Sequence, residues 1–161
     1  MIKTMDDTTN ELVVSDTKHI LDYLDNNEDL NHNGYGAIGY CMSGQYIVSV
    51  TSTYPKKFAA AASFYGVKIL TDKNNSPHLQ ANKIEADLYL AFAEKDTWVD
   101  SDALKNIKNH FEKNTPNFRM EVYEGTEHGF AFPDRHTYNK NGAEKHWSRI
   151  CNLFERSLKN K

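Results

Sequence analysis

Hydrophobic positions fall into short blocks whose spacing switches repeatedly between that of a strand and that of a helix. From Ser15-Asp16, a helix cap, Ile20, Leu21 and Leu24 recur at helical spacing, and the polar run Asn26-Asn27-Glu28-Asp29 ends the pattern. Residues 1–10 are polar and are expected to be flexible. Asn31-His32-Asn33-Gly34 reads as a turn into an apolar block, Tyr35 to Tyr40, the first strand. The next block, Gln45 to Thr51, is rich in β-branched residues, which lose rotamer freedom in a helix. A strand cannot follow a strand so closely in a parallel sheet, so this block is predicted to be a buried helix. Alanine-rich Phe58 to Tyr65 is the second strand, ending at Gly66, and a polar loop containing Asn74-Asn75-Ser76-Pro77 follows. Asp87 to Ala93 is the third strand. Asp100 or Ser101 caps a helix with Leu104, Ile107 and Phe111 on one face, and Pro116 lies beyond its end. Phe118 to Tyr123 alternates as a fourth strand. The last helix carries Trp147, Ile150, Cys151, Phe154 and Leu158 on one stripe, which assigns Cys151 to the core.

Four strands separated by helices predict an α/β architecture with a mostly parallel sheet of about four strands. With 161 residues and no break in composition, a single domain over residues 1–161 is expected. A net charge of −3 gives no electrostatic reason to expect nucleic acid or an anionic membrane as partner. No apolar run approaches the roughly 20 residues that span a bilayer. Met1 to Asp7 lacks the apolar core of a signal peptide, so a cytoplasmic location is expected. Cys41 and Cys151 are too few for a disulfide framework.

In parallel α/β sheets, chemistry gathers beyond the carboxyl ends of the strands. That rule selects Cys41 after the first strand, Asp96 after the third and His128 after the fourth. The segment Gly39-Tyr40-Cys41-Met42-Ser43-Gly44 reads as strand, sharp turn and helix, with small residues two before and two after a nucleophile at the tip. Gly39 fills the first small position; Ser43 stands where a second glycine is usual. The order nucleophile, acid, histidine is that of the α/β-hydrolases. The backbone N–H of Met42 is then an oxyanion donor, and Tyr65, Trp98 and Phe130 are candidates to line a substrate pocket. Blander readings exist: an inert buried cysteine, a plain loop histidine, an aspartate that merely starts a helix. The small residues around Cys41 have no packing reason under those readings. His19, His32, His78, His110, His136 and His146 lack a comparable setting and are read as structural or surface groups. No second ligand pair at metal-binding spacing accompanies Cys41 and His128, so neither zinc nor any other cofactor is expected.

These residues resemble the dienelactone hydrolase family, within the α/β-hydrolase fold. The likeness rests on the Cys41 turn, Ser63-Phe64-Tyr65-Gly66, Ala93-Glu94-Lys95-Asp96 and Glu124-Gly125-Thr126-Glu127-His128-Gly129-Phe130. Phe132 through Tyr138 and the Trp147 helix add to it, and it runs from about Thr17 to Leu158. The resemblance implies that Cys41 is the nucleophile, His128 its base and Asp96 the group that orients His128, acting on small esters or lactones through a thioester. It also implies departures. Family members are longer at the amino end, where one oxyanion donor and an acidic residue near the thiol reside, and no glycine precedes Gly34 here. An arginine four residues after the catalytic histidine helps hold the substrate carboxylate in dienelactone hydrolases proper; Phe132 occupies that position. The chain is therefore expected to be the carboxyl-terminal two-thirds of the family fold.

That expectation supplies a second reading: a weakly active or inactive homologue serving as an assembly module. Without its usual neighbour, the strand before Cys41 presents an open edge that invites pairing with another copy of the chain into a homo-oligomer.

Overall fold

The computed structural model describes residues 7–27 and 34–159. The elements are α1 (Asn10–Asp25), β1 (Tyr35–Tyr40), α2 (Ser43–Thr53), β2 (Phe58–Phe64), a 3-10 segment (Pro77–Lys83), β3 (Asp87–Lys95), α3 (Ser101–Asn114), β4 (Phe118–Glu127) and α4 (Lys140–Leu158). The four strands form one parallel sheet in the order β1-β2-β3-β4. In register, Tyr40 pairs with Phe64 and Phe64 with Ala91, so the carboxyl ends of β1 and β2 finish level.

Every residue of β2 is buried, which accounts for its alanines: a strand covered on both faces has room for little else. Ala61, Leu88, Leu90 and Phe92 meet Ile47, Val48 and Phe111 on one face. Ala60, Ala62, Phe64 and Tyr89 meet Ile150 and Leu153 of α4 on the other. The β-branched block forms α2 as predicted. Burial overrides its propensity, and the hydroxyl of Thr51 donates to the carbonyl of Ile47 at 2.6 Å.

Three expectations change. α1 begins at Asn10, capped by Thr9, whose Oγ1 accepts the N–H of Leu12 at 3.2 Å; Ser15 and Asp16 are interior to the helix. The end of the polar leader is also tied down. Tyr46 Oη donates to the carbonyl of Thr8 at 2.8 Å, and Ser49 Oγ donates to Asn10 Oδ1 at 2.8 Å. Residues 1–6 and the Asn31-His32-Asn33 turn lie outside the described residues. Finally, α4 is rotated from the predicted stripe: Ala143, His146, Ile150, Leu153 and Ser157 are buried, while Cys151 is exposed and Trp147 is 55% exposed. Residue type misled here, because close approach to the sheet selects small side chains and a hydrogen-bonded histidine. His146 Nε2 accepts from Tyr40 Oη at 2.7 Å, and its Nδ1 faces the carbonyl of Ala143 at 3.1 Å.

Candidate active site

Each strand is followed immediately by one residue of the candidate site or its surround: Cys41 after β1, Tyr65 after β2, Asp96 after β3 and His128 after β4. The sheet register therefore sets their spacing, with no intervening loop.

Cys41 has φ +53°, in the left-handed region that costs a non-glycine residue on the order of 1–3 kcal/mol. The turn is fastened on three sides. The N–H of Cys41 donates to the carbonyl of Phe64 at 3.1 Å, and its own carbonyl accepts from Gly44 at 3.0 Å and Val67 at 3.1 Å. A Cβ at Gly39 would lie 2.5 Å from Ile47 Cγ1 and 2.7 Å from the carbonyl oxygen of Ser43, so the helix leaves the strand too tightly for any side chain there. At the second small position Ser43 fits, because its Oγ donates to the carbonyl of Tyr40 at 3.0 Å. The closest approach falls one residue later, where Gly44 packs directly on Gly66.

His128 Nδ1 donates to Asp96 Oδ2 at 2.9 Å, which leaves Nε2 of the neutral ring as an acceptor. The Asp96 side chain is wholly buried, and its Oδ1 accepts the N–H of Trp98 at 2.9 Å. Both carboxylate oxygens are thus engaged, and the carboxylate is fixed in one orientation. With Nδ1 committed, Nε2 is left a buried atom with no hydrogen-bond partner, on a ring whose electrostatics Cys41 shares.

The electrostatics follow from that arrangement. Interaction with His128 pulls the Cys41 thiol below its ordinary value despite the opposing effect of burial, and the Met42 N–H and Arg135 add to the pull. Burial alone would push His128 down. Asp96 and Cys41 outweigh it and raise the imidazole to about 9. Each of the two groups thus stabilises the charged form of the other. The sign is testable: alkylation of Cys41, followed by intact mass in a Cys151→Ser background, is expected to reach half its limiting rate below about pH 8.5, the value of a free thiol. A midpoint at or above that value would mean that the sulfur does not feel the ring.

The other expected site residues divide. Met42 lies at the amino end of α2, with its N–H beside the sulfur. Tyr65 is 2% exposed, and its ring centroid is 5.0 Å from that of His128. Trp98 is 73% exposed with its ring 6.5 Å from His128, so it stands at the outer rim. Phe130 departs from its expected place on a pocket wall. It is fully buried, packed against Tyr65 and Tyr123 and over Gly142, where it supports Tyr65 from behind. Arg135 escaped the sequence reading, since nothing in its spacing relates it to Cys41. Arg119, Arg149 and Arg156 all face carboxylates; Arg135 acts instead on the thiol and on the Tyr65 phenol. Among the described residues, no group of three or more His, Cys, Asp or Glu side chains could hold a metal, and no helix is long and apolar enough to cross a membrane.

A parallel sheet flanked by helices, with its polar groups on the carboxyl rim, is the arrangement of the α/β-hydrolase fold. The crystal structure of a "Putative Dienelactone Hydrolase" from Klebsiella pneumoniae superposes with a TM-score of 0.80 at 20% identity, over 90% of this chain and 61% of that one. The chain belongs to the dienelactone hydrolase family, whose family model matches residues 1–158. Among curated relatives, a "Putative carboxymethylenebutenolidase" of Synechocystis sp. is 29% identical over 160 residues, 98% of this chain and 64% of its own length. A protein of the same name from Aquifex aeolicus is 28% identical over 125 residues, 77% of this chain and 52% of its own. The chain thus spans less than two-thirds of the length of these relatives.

Proposed function

We propose that the protein hydrolyses small esters or lactones, with Cys41 as nucleophile, His128 as general base and acid, and Asp96 as the group that orients His128. The observation that carries this reading is the hydrogen bond from His128 Nδ1 to the buried Asp96 carboxylate, which leaves Nε2 buried and unpartnered on a ring that shares its electrostatics with the Cys41 thiol. The thiolate attacks the acyl carbon, and the tetrahedral oxyanion accepts from the N–H of Met42 at the positive end of α2. Collapse expels the alkoxide, which takes the proton held on His128 Nε2 and leaves a thioester on Cys41. His128 then deprotonates a water that attacks the thioester, and collapse releases the acid and returns the sulfur as thiolate with the proton on His128. The family membership and the names of the relatives support the substrate class. Phe132 in place of an arginine argues against transferring the dienelactone itself.

A short-chain chromogenic ester tests this. In a Cys151→Ser background, turnover beyond one equivalent is expected, and it should vanish in proportion to the fraction of Cys41 alkylated. Turnover indifferent to alkylation would remove Cys41 from the mechanism.

The assembly-module reading has less behind it, since such a module has no need for three converging polar groups. Self-association through β1 is compatible with either function: among the described residues β1 pairs only with β2, and an apolar groove of about 340 Å³ runs between it and α1, past Val13, Leu24 and Tyr35.

A further inference from the structure

Among the described residues, four buried side-chain polar atoms lack a hydrogen-bond partner: Ser63 Oγ, Asp87 Oδ1, His128 Nε2 and Tyr65 Oη. The last two belong to neighbouring groups on the rim, and both lie close enough to Cys41 to share its electrostatics. One is an acceptor for the thiol proton. The other is a donor with nothing to receive its hydrogen bond, a condition that destabilises a folded protein. Tyr65 is also held at φ +40°, the counterpart of Cys41 at +53°. The two strained residues follow the paired strand ends Tyr40 and Phe64, so they emerge side by side from adjacent strands. The N–H of Tyr65 donates to the carbonyl of Ala91 at 2.7 Å, and its ring is wedged between His128 and Phe130. Two strained residues and an unanswered donor concentrated beside one sulfur suggest a function that repays the strain.

We propose that the Tyr65 hydroxyl is the second donor to the oxyanion that forms at Cys41, alongside the N–H of Met42. This rests on the hydrolytic reading above and adds a catalytic residue to it. When the thiolate adds to a carbonyl, the oxygen carrying the new charge is one C–S and one C–O bond from the sulfur. That brings an acceptor to a hydroxyl which has none in the resting site. Burial, with the nearby Tyr40 and Cys41, holds the phenol well above its ordinary value, so it stays protonated and able to donate wherever the enzyme works. A donor fixed before the charge appears needs no reorganisation in the transition state.

Tyr65→Phe removes the hydroxyl and keeps the ring. Ester turnover by this variant is expected to fall on the order of 10²-fold in kcat with KM little changed. Its thermal midpoint should stay level or rise, because an unanswered buried donor is gone. The rate and pH profile of Cys41 alkylation should not move, since alkylation builds no oxyanion. A second probe does not depend on turnover: a phenyl trifluoromethyl ketone, to whose carbonyl the thiolate adds to give a tetrahedral oxyanion. Its Kd is expected to rise by a similar factor in Tyr65→Phe. Unchanged kcat and unchanged ketone affinity, with Cys41 still essential, would overturn the role of Tyr65 and leave the hydrolytic reading standing. Parallel losses in turnover and alkylation would also overturn it, placing the hydroxyl on the thiolate instead. A ketone that fails to add to the unmodified protein, together with turnover indifferent to Cys41, would bring down both.

Discussion

Asp96→Asn is expected to lower kcat for ester hydrolysis by about 10³–10⁴-fold while leaving the fold intact. The reason is the proton inventory of one ring. Asp96 Oδ2 now accepts from His128 Nδ1, and Oδ1 accepts from the N–H of Trp98. An asparagine keeps its carbonyl on the Trp98 N–H and turns its amide N–H₂ toward Nδ1. Two donors cannot face each other, so Nδ1 becomes the acceptor and the ring proton moves to Nε2. The ring can then no longer take the thiol proton, and losses on the order of 10⁴ accompany such a tautomer change in serine proteases. The same substitution removes the carboxylate that helps hold His128 at about 9, so the alkylation midpoint of Cys41 should move up. Circular dichroism and the alkylation profile separate this outcome from misfolding. A kcat within threefold of the parent would mean that Asp96 is only the start of a turn.

Gly44→Ala is expected to be the most damaging single-methyl change to the fold, costing about 3 kcal/mol or more in denaturant unfolding. A Cβ there would overlap the Cα of Gly66 and press on the Ser63 hydroxyl. Neither neighbour can yield: Gly66 is backbone, and Ser63 is the buried penultimate residue of β2. Relief would require lifting the first turn of α2 off the sheet. That turn carries the Met42 N–H and fixes the positive φ of Cys41, so a folded remnant should also lose the fast alkylation of Cys41. By contrast, a Cβ at Gly125 would meet nothing within 4 Å, and only its φ of +67° opposes alanine there. Stability of Gly44→Ala within 1 kcal/mol of the parent would show that the α2–β2 contact is looser than these distances require.

Much of this was legible in the residues themselves. The four parallel strands, the helical state of the β-branched block and the rim positions of Cys41, Asp96 and His128 all follow from spacing and from the rule that parallel strands deliver chemistry at their carboxyl ends. What escaped was decided by tertiary contacts. Ser15-Asp16 looked like a cap because acid and hydroxyl stand together, yet Thr9 starts α1, and Asn10 and Thr8 are held by Ser49 and Tyr46 of another helix. On α4, hydrophobicity by type pointed to Cys151 and Trp147, whereas the sheet took Ala143 and His146. Phe130 and Tyr65 could not be told apart as aromatics of the site. Only coordinates reveal that one lies beneath the other, and that Arg135, seven residues after His128, adds its charge to the field at the sulfur.

The direct attachment of Cys41, Tyr65, Asp96 and His128 to the ends of four hydrogen-bonded strands has a consequence for how the protein fails. Enzymes whose reactive groups sit on long excursions lose activity on warming well before their scaffolds melt. Here the groups proposed to react are the last links of the scaffold itself, so catalytic decay and cooperative melting should trace a single curve.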